Sequence, residues 1–187
     1  NLCDASWSTA DINSYVKPTT IWDPTQYMNM WSVNFSDGTL LGYAQFPDAS
    51  GLAGLNASGG AANTDGVVAG YRFFGSSDLA TGSFSAPYDK GRTMTHEVGH
   101  WIGLRHIWGD TNCGSDLVSD TPTHNTANYG IPSFPHYSTC TGNPIEMTMN
   151  FMDYTDDAGM YMFSNGQKAR MLALFAAGGS RNSFAQP

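Results

Sequence analysis

The sequence predicts an α+β domain with an α/β-like N-terminal part, a mixed sheet backed by helices, and three observations carry that expectation. Three short β-prone runs come early, at residues 28–35, 40–46 and 66–74. An amphipathic helix follows from about residue 89 to 104, and a second helix stands near the C-terminus behind a long stretch of loop signals. Strands followed by helices, without regular alternation, point to a sheet covered by helices rather than to a barrel.

The elements can be justified in order. Met28, Met30, Trp31, Val33 and Phe35 read as a strand with mixed alternation. Asp37-Gly38 supplies a turn, and Leu40 to Phe46 reads as a second strand that Pro47 ends. Residues 48–65, rich in Gly, Ala, Ser and Asn, read as a surface loop. Val67, Val68, Tyr71, Phe73 and Phe74 mark a third strand over 66–74. In the helix from Asp89 to Leu104, Met94, Val98, Trp101 and Ile102 cluster opposite His96 and His100, so the apolar side anchors the helix and the imidazoles face a cleft. Gly109 to Met149 shows no helical pattern. The last helix begins at Ser164, whose Ser164-Asn165-Gly166-Gln167 matches a capping box, carries Met171, Leu174 and Phe175, and is expected to stop at Gly178-Gly179.

At 187 residues the chain fits one domain, 1–187, or two lobes around a cleft. Its 16 acids against 8 bases leave a net charge of -8, which repels nucleic acid and anionic membrane surfaces, so neither is expected as a partner. No run of about 18 apolar residues exists, so no membrane span is expected. No basic stretch followed by an apolar run stands at Asn1; a secreted form is expected to have shed its signal and any pro-segment. Cys113 and Cys140 bracket a loop-rich stretch that a disulfide would staple, leaving Cys3 over; three reduced thiols are the alternative. The sequons at Asn34 and Asn56 decide nothing.

The segment His96-Glu97-Val98-Gly99-His100-Trp101-Ile102-Gly103-Leu104-Arg105-His106 carries the chemistry. His96 and His100 lie one helical turn apart on one face and can share one zinc ion. Glu97, rotated roughly 100° from His96, can flank that ion as general base without binding it. Gly103 tolerates positive φ, so the helix can stop and bring His106 back as third ligand. Three ligands leave a fourth position open, the mark of a catalytic rather than a structural site. The alternative is a helix with surface histidines. Asp116, Asp120 and Thr121 form an acidic loop that could offer hard oxygen ligands to calcium, or be a solvated turn. Asp110 suits a partner for a ligand histidine, or a turn cap. His124 and His136, outside the motif, are expected to be surface or loop residues.

The HExxHxxGxxH pattern resembles the zinc signature of the metzincin metalloendopeptidases, and Met149-Asn150-Phe151-Met152-Asp153-Tyr154 resembles their Met-turn. Gly91-Arg92-Thr93, His106-Ile107-Trp108-Gly109-Asp110, Asp120-Thr121-Pro122 and Met162-Phe163-Ser164-Asn165-Gly166-Gln167 narrow the likeness to the pappalysin family, ulilysin-like or cytophagalysin branch, over about residues 28–178. The resemblance implies a metzincin fold: a mixed, mostly parallel twisted sheet backed by helices in an upper subdomain of about 1–106. An irregular lower subdomain, about 107–187, would carry the Met-turn and C-terminal helix. It implies a secreted zinc endopeptidase, made as a zymogen with an N-terminal pro-segment, that takes protein or peptide substrates extended along the strand at Leu41–Phe46. A monomer is the expectation.

In that resemblance His96, His100 and His106 hold the zinc and Glu97 serves as base and then acid. Tyr154 donates to the oxyanion, Met152 packs under the site, and calcium binds in the loop of Asp116, Asp120 and Thr121. Gly159 stands where relatives often carry a cysteine, so the only disulfide expected is Cys113–Cys140. Met160 falls where Arg/Lys-preferring members have an aspartate, which argues against strong Lys/Arg preference at P1′. Two competing readings are a catalytically inactive zinc-containing peptide-binding module, and a zinc aminopeptidase with Glu146 as third ligand. The first is disfavoured by the intact Glu97 and histidines, the second because His106 already fills the third position.

Overall fold

A computed structural model describes residues 6–56 and 59–186. Cys3, and Ala57 and Ser58 of the second sequon, lie outside the described residues. The chain opens with a helical segment that the sequence pattern did not lead us to expect: Thr9–Asp11, a π turn at Ile12–Val16, and Lys17–Thr20. Ser8 caps it by accepting from the Asp11 amide at 3.1 Å. Pro18 has no N–H to donate, and the helix widens just before it, with the Lys17 N–H bonding the Ile12 carbonyl. Ile12 and Val16 pack with Val33, Phe35 and Val68 in one part of the core.

The three predicted strands form one mixed sheet in the order β1 (Met30–Val33), β3 (Val67–Gly70), β2 (Gly42–Ala44). β1 runs parallel to β3, and β2 runs antiparallel on its other side. All four residues of β3 are buried, which explains its continuous apolar run. The expected third strand, 66–74, is corrected at its end: Tyr71–Phe74 is a single helical turn. Partner positions run out at that register, with Val33 opposite Gly70 and Gly42 opposite Ala69, so the next residues have no ladder to join. Phe73 then folds back over Gly70.

The motif helix is Arg92–Trp101, shorter than expected at both ends. Gly91 (φ 75) and Gly103 (φ 90), both left-handed, bracket it. Met94 and Trp101 pack against Val67 and Ala69 of the sheet, with Val98 and Ile102 beside them. The histidines are thereby turned to the other side. No helix among the described residues is long and apolar enough to cross a membrane.

Beyond the motif helix the fold becomes irregular, as the loop signals predicted, with a short 3₁₀ turn at Asp157–Gly159. Side-chain bonds hold this part. Cys113 and Cys140 are joined in a disulfide. The C-terminal helix, Asn165–Ala173, has the predicted capping box from Ser164 and Gln167. Gln167 also exchanges two hydrogen bonds, of 2.7 and 3.0 Å, with the fully buried Asn150, so the helix start grips the Met-turn segment. The helix ends before Gly178-Gly179, because the chain turns back and the Arg181 amide takes the Leu174 carbonyl at 2.9 Å.

Candidate metal and catalytic site

The three histidines converge. His96 and His100 come from consecutive turns of the motif helix, and the Gly103 turn returns His106 to them. The Nε2 atom of His100 lies 3.1 Å from that of His96 and 3.1 Å from that of His106. Each ring's Nδ1 already has an acceptor: His96 donates to the Phe151 carbonyl at 2.7 Å, His100 to the Leu104 carbonyl at 2.8 Å, and His106 to the Asp110 carboxylate. These bonds assign the proton to Nδ1 and the lone pair to Nε2 in all three. Lone pairs at that spacing cannot hydrogen-bond one another. They suit a cation held between them, at zinc–nitrogen bonds of about 2.0–2.1 Å.

Electrostatics point the same way. Burial first, then the neighbouring histidines, hold His96 well below the usual imidazole range. Burial followed by the charge of His106 brings His100 down to about 4, and burial lowers His106 despite Asp110. Neutral imidazoles with free Nε2 lone pairs are ready ligands. Among the described residues, these three are the group of His, Cys, Asp and Glu side chains whose ligand atoms gather within 4.8 Å of one another.

Beside them lies an open cavity of about 300 Å³. Leu40, Leu41 and Gly42, leading into β2, form one wall; Tyr129, Tyr154 and Met160 come from the irregular stretch beyond the motif helix. Glu97 faces this cavity, and burial pushes its carboxyl up to about 8. Tyr154 places its hydroxyl 3.1 Å from His106 Nε2, and burial, then the charge of Glu97, raises its phenol to about 12. It therefore keeps a proton to donate at neutral pH.

Met152 is fully buried among Leu104, Ile107 and Trp108. Its sulfur lies where a Cβ on Gly99 would come within 2.4 Å, so the glycine between the two helix histidines lets the Met-turn press against the helix. Trp108 stacks on His106 at 4.3 Å. Asp110, the expected partner of a ligand histidine, orients His106.

The other sequence candidates fall differently. Asp116 and Thr121 meet, the Thr121 hydroxyl donating to Asp116 Oδ1 at 2.8 Å, while the buried Asp116 Oδ2 has no hydrogen-bond partner among the described residues. The Asp120 carboxylate turns to the C-terminal helix, accepting from the Ser164 hydroxyl and the Gly166 amide. Gly159 faces Ile131. His124 lies in a loop, one of the two places expected, but not at the surface: it is fully buried, accepting from the Met147 amide at 3.0 Å. Its burial had no sequence signal, because its partners lie more than twenty residues away. Glu146 is buried among Asn125, Asn128 and His136 and stands outside the histidine group, which removes the third ligand an aminopeptidase would need. Tyr129 and Asp157 line the cavity with nothing in their local sequence pattern to mark them, and Arg92 of the Gly91-Arg92-Thr93 segment lines it too, though no role was assigned to it.

Comparison with known proteins is consistent with this geometry. The sequence profile of peptidase family M43, described as pregnancy-associated plasma protein-A, matches residues 11–176. An "Extracellular metalloprotease 1" of Coccidioides posadasii is 37% identical over 139 residues, covering 74% of this chain and 46% of that protein. An "Extracellular metalloprotease" of Pyricularia oryzae is 36% identical over 151 residues, covering 80% and 48%. The chain thus spans about half the length of the curated relatives it matches. Mature mirolysin of Tannerella forsythia, solved with a cleaved peptide, superposes with a TM-score of 0.81 at 43% identity, covering 97% of this chain and 65% of that one. A promirolysin mutant of the same organism gives 0.80 at 41% identity, covering 97% and 58%. The chain belongs to the pappalysin family of metalloproteases and has its metzincin fold.

Proposed function

We propose that this chain is the catalytic domain of a secreted zinc-dependent metalloendopeptidase. The observation that carries the reading is the meeting of three neutral Nε2 lone pairs beside a buried carboxyl, in a cleft open to solvent. His96, His100 and His106 would hold the zinc, which when bound polarises a carbonyl and lowers the pKa of water. In its ionised form Glu97, whose burial raises its affinity for a proton, takes the proton of the attacking water and delivers it to the leaving amine. The Tyr154 hydroxyl donates to the oxygen on which negative charge develops. Met152 keeps the site's floor packed and binds nothing.

Substrate would lie extended beside Leu40–Gly42, whose segment forms the cavity wall next to Glu97. The buried Met160 gives that cavity an apolar wall. Asp157 also lines it, but Oδ2 of its carboxylate already accepts from the Lys90 and Arg92 amides and faces the Arg92 charge. No strong Lys/Arg preference at P1′ is therefore expected; a peptide-library profile dominated by P1′ Arg would refute this.

The likeness to extracellular relatives and to promirolysin supports secretion and an N-terminal pro-segment. A monomer is proposed with them. Asp116 and Thr121 would supply oxygen ligands to a calcium ion, a reading supported by the buried Asp116 Oδ2, which has no hydrogen-bond partner among the described residues; Asp120 would join them only by releasing Ser164 and Gly166. A melting temperature unmoved by a calcium-selective chelator would count against it. The test of the whole reading is an internally quenched peptide blocked at both ends. The chain is expected to cut it, and to stop when zinc is chelated; turnover of free-ended peptides alone would overturn the endopeptidase assignment.

A further inference from the structure

Beneath the Met-turn lies a buried polar cluster that the proposed mechanism does not use. Glu146, 1% exposed, accepts from the Asn125 amide at 2.7 Å, from the Asn128 side-chain amide at 2.8 Å and from His136 Nδ1 at 3.2 Å. The same Asn128 amide group donates to Asp153 Oδ2 at 2.9 Å. Asp153, fully buried, accepts on its Oδ1 from two backbone amides, those of Asn128 at 2.8 Å and of Tyr154 at 2.9 Å. His124 closes the cluster. Its Nε2 accepts from the Met147 amide, so its proton sits on Nδ1, which faces Asp153 Oδ2 at 3.4 Å.

The consequence is geometric. One oxygen of Asp153 ties the backbone of Asn128 to that of Tyr154. Tyr129, the next residue after Asn128, lies with its ring 6.0 Å from that of Tyr154, and both line the cavity. Two carboxylates this deep are an expensive arrangement unless their donors are held in place. A bare packing role would be met as well by apolar side chains.

We propose that Glu146, acting through Asn128 and Asp153, is a positioning residue that sets the Tyr154 hydroxyl relative to His106 and Glu97. The inference rests on the endopeptidase reading and on the oxyanion role of Tyr154. Glu146→Gln replaces one accepting oxygen with a donor and so breaks at least one bond of the cluster, that to the Asn125 amide or those to Asn128 and His136. Asn128→Ala removes the link between the two carboxylates.

The experiment is a double-mutant cycle on the end-blocked peptide, using zinc-loaded wild type, Glu146→Gln, Asn128→Ala, Tyr154→Phe and the two doubles. Glu146→Gln and Asn128→Ala are each expected to lower kcat about 10- to 100-fold, with KM within about twofold and zinc content unchanged. Adding either to Tyr154→Phe should lower kcat by less than about twofold more, since the hydroxyl they position is gone. Wild-type kcat in both variants, or losses that multiply fully with Tyr154→Phe, would overturn the proposal. Should Glu146→Gln not fold, Asn128→Ala, at a half-buried position, decides alone. An inactive wild type overturns the endopeptidase reading, and an active wild type with a silent Tyr154→Phe overturns the tyrosine's role; either result takes the positioning role with it.

Discussion

The three clustered histidines have their free lone pairs aimed by two kinds of acceptor, two backbone carbonyls and one carboxylate. The carbonyls cannot be mutated away, but Asp110 can. Asp110→Ala is expected to weaken zinc binding about 10- to 100-fold in competition with a chelator, as loss of a histidine's outer partner does; wild-type affinity would show that the bond only decorates His106. The trio and Glu97 were legible in the sequence because one helical turn and one glycine set their spacing. Glu146, Asn128 and His124 were not. Their bonds join residues 10 to 25 positions apart with no period, so nothing local marks His124 as buried or Glu146 as part of the site's support.

At the scale of elements, close approach matters more than propensity. The Met152 sulfur occupies the space beside Gly99. Gly99→Ala is expected to destabilise the fold by about 1–3 kcal/mol despite alanine's better helix propensity, read from urea denaturation. A stabilised variant would mean that Met152 moves aside freely. The N-terminal helical segment was invisible because Pro18 breaks its pattern and only Ile12 and Val16 among its apolar residues are buried. It also buries Lys17, which donates to the Thr64 carbonyl and lies 4.6 Å from the Tyr43 ring of β2. Burial, partly offset by the charge of Asp65, brings this ammonium from 10.5 down to about 8. Between those values the unfolded chain holds a proton that the folded one does not, so stability rises with pH there and is lost as pH falls toward 8. We expect a gain of about 1 kcal/mol between about pH 8 and 9.5, absent in Lys17→Met. The same slope in the variant would assign it to another group.

For the whole molecule, the three strands, the motif helix after them and the capped C-terminal helix were legible, since each rests on a local pattern, whereas the N-terminal helical segment and the turn at Tyr71–Phe74 were not. The lower part was legible only as an absence of regular structure, and what holds it is long-range: the Cys113–Cys140 bond across 27 residues and the Asn150–Gln167 pair. Closing a loop of that length stabilises by about 3–4 kcal/mol in the chain-entropy model. Replacing both cysteines with serine is expected to lower the denaturation midpoint accordingly; an unchanged midpoint would mean that the loop is held by its polar contacts alone. The central claim is that the upper part supplies metal ligands and a base, and that the lower part closes a catalytic site over them. Its most direct test is Glu97→Ala, assayed for bound zinc and for cleavage of the end-blocked peptide. The account predicts one zinc per chain, as in the wild type, with cleavage reduced about 10²- to 10⁴-fold. Full cleavage with zinc bound, or loss of the zinc itself, would contradict it.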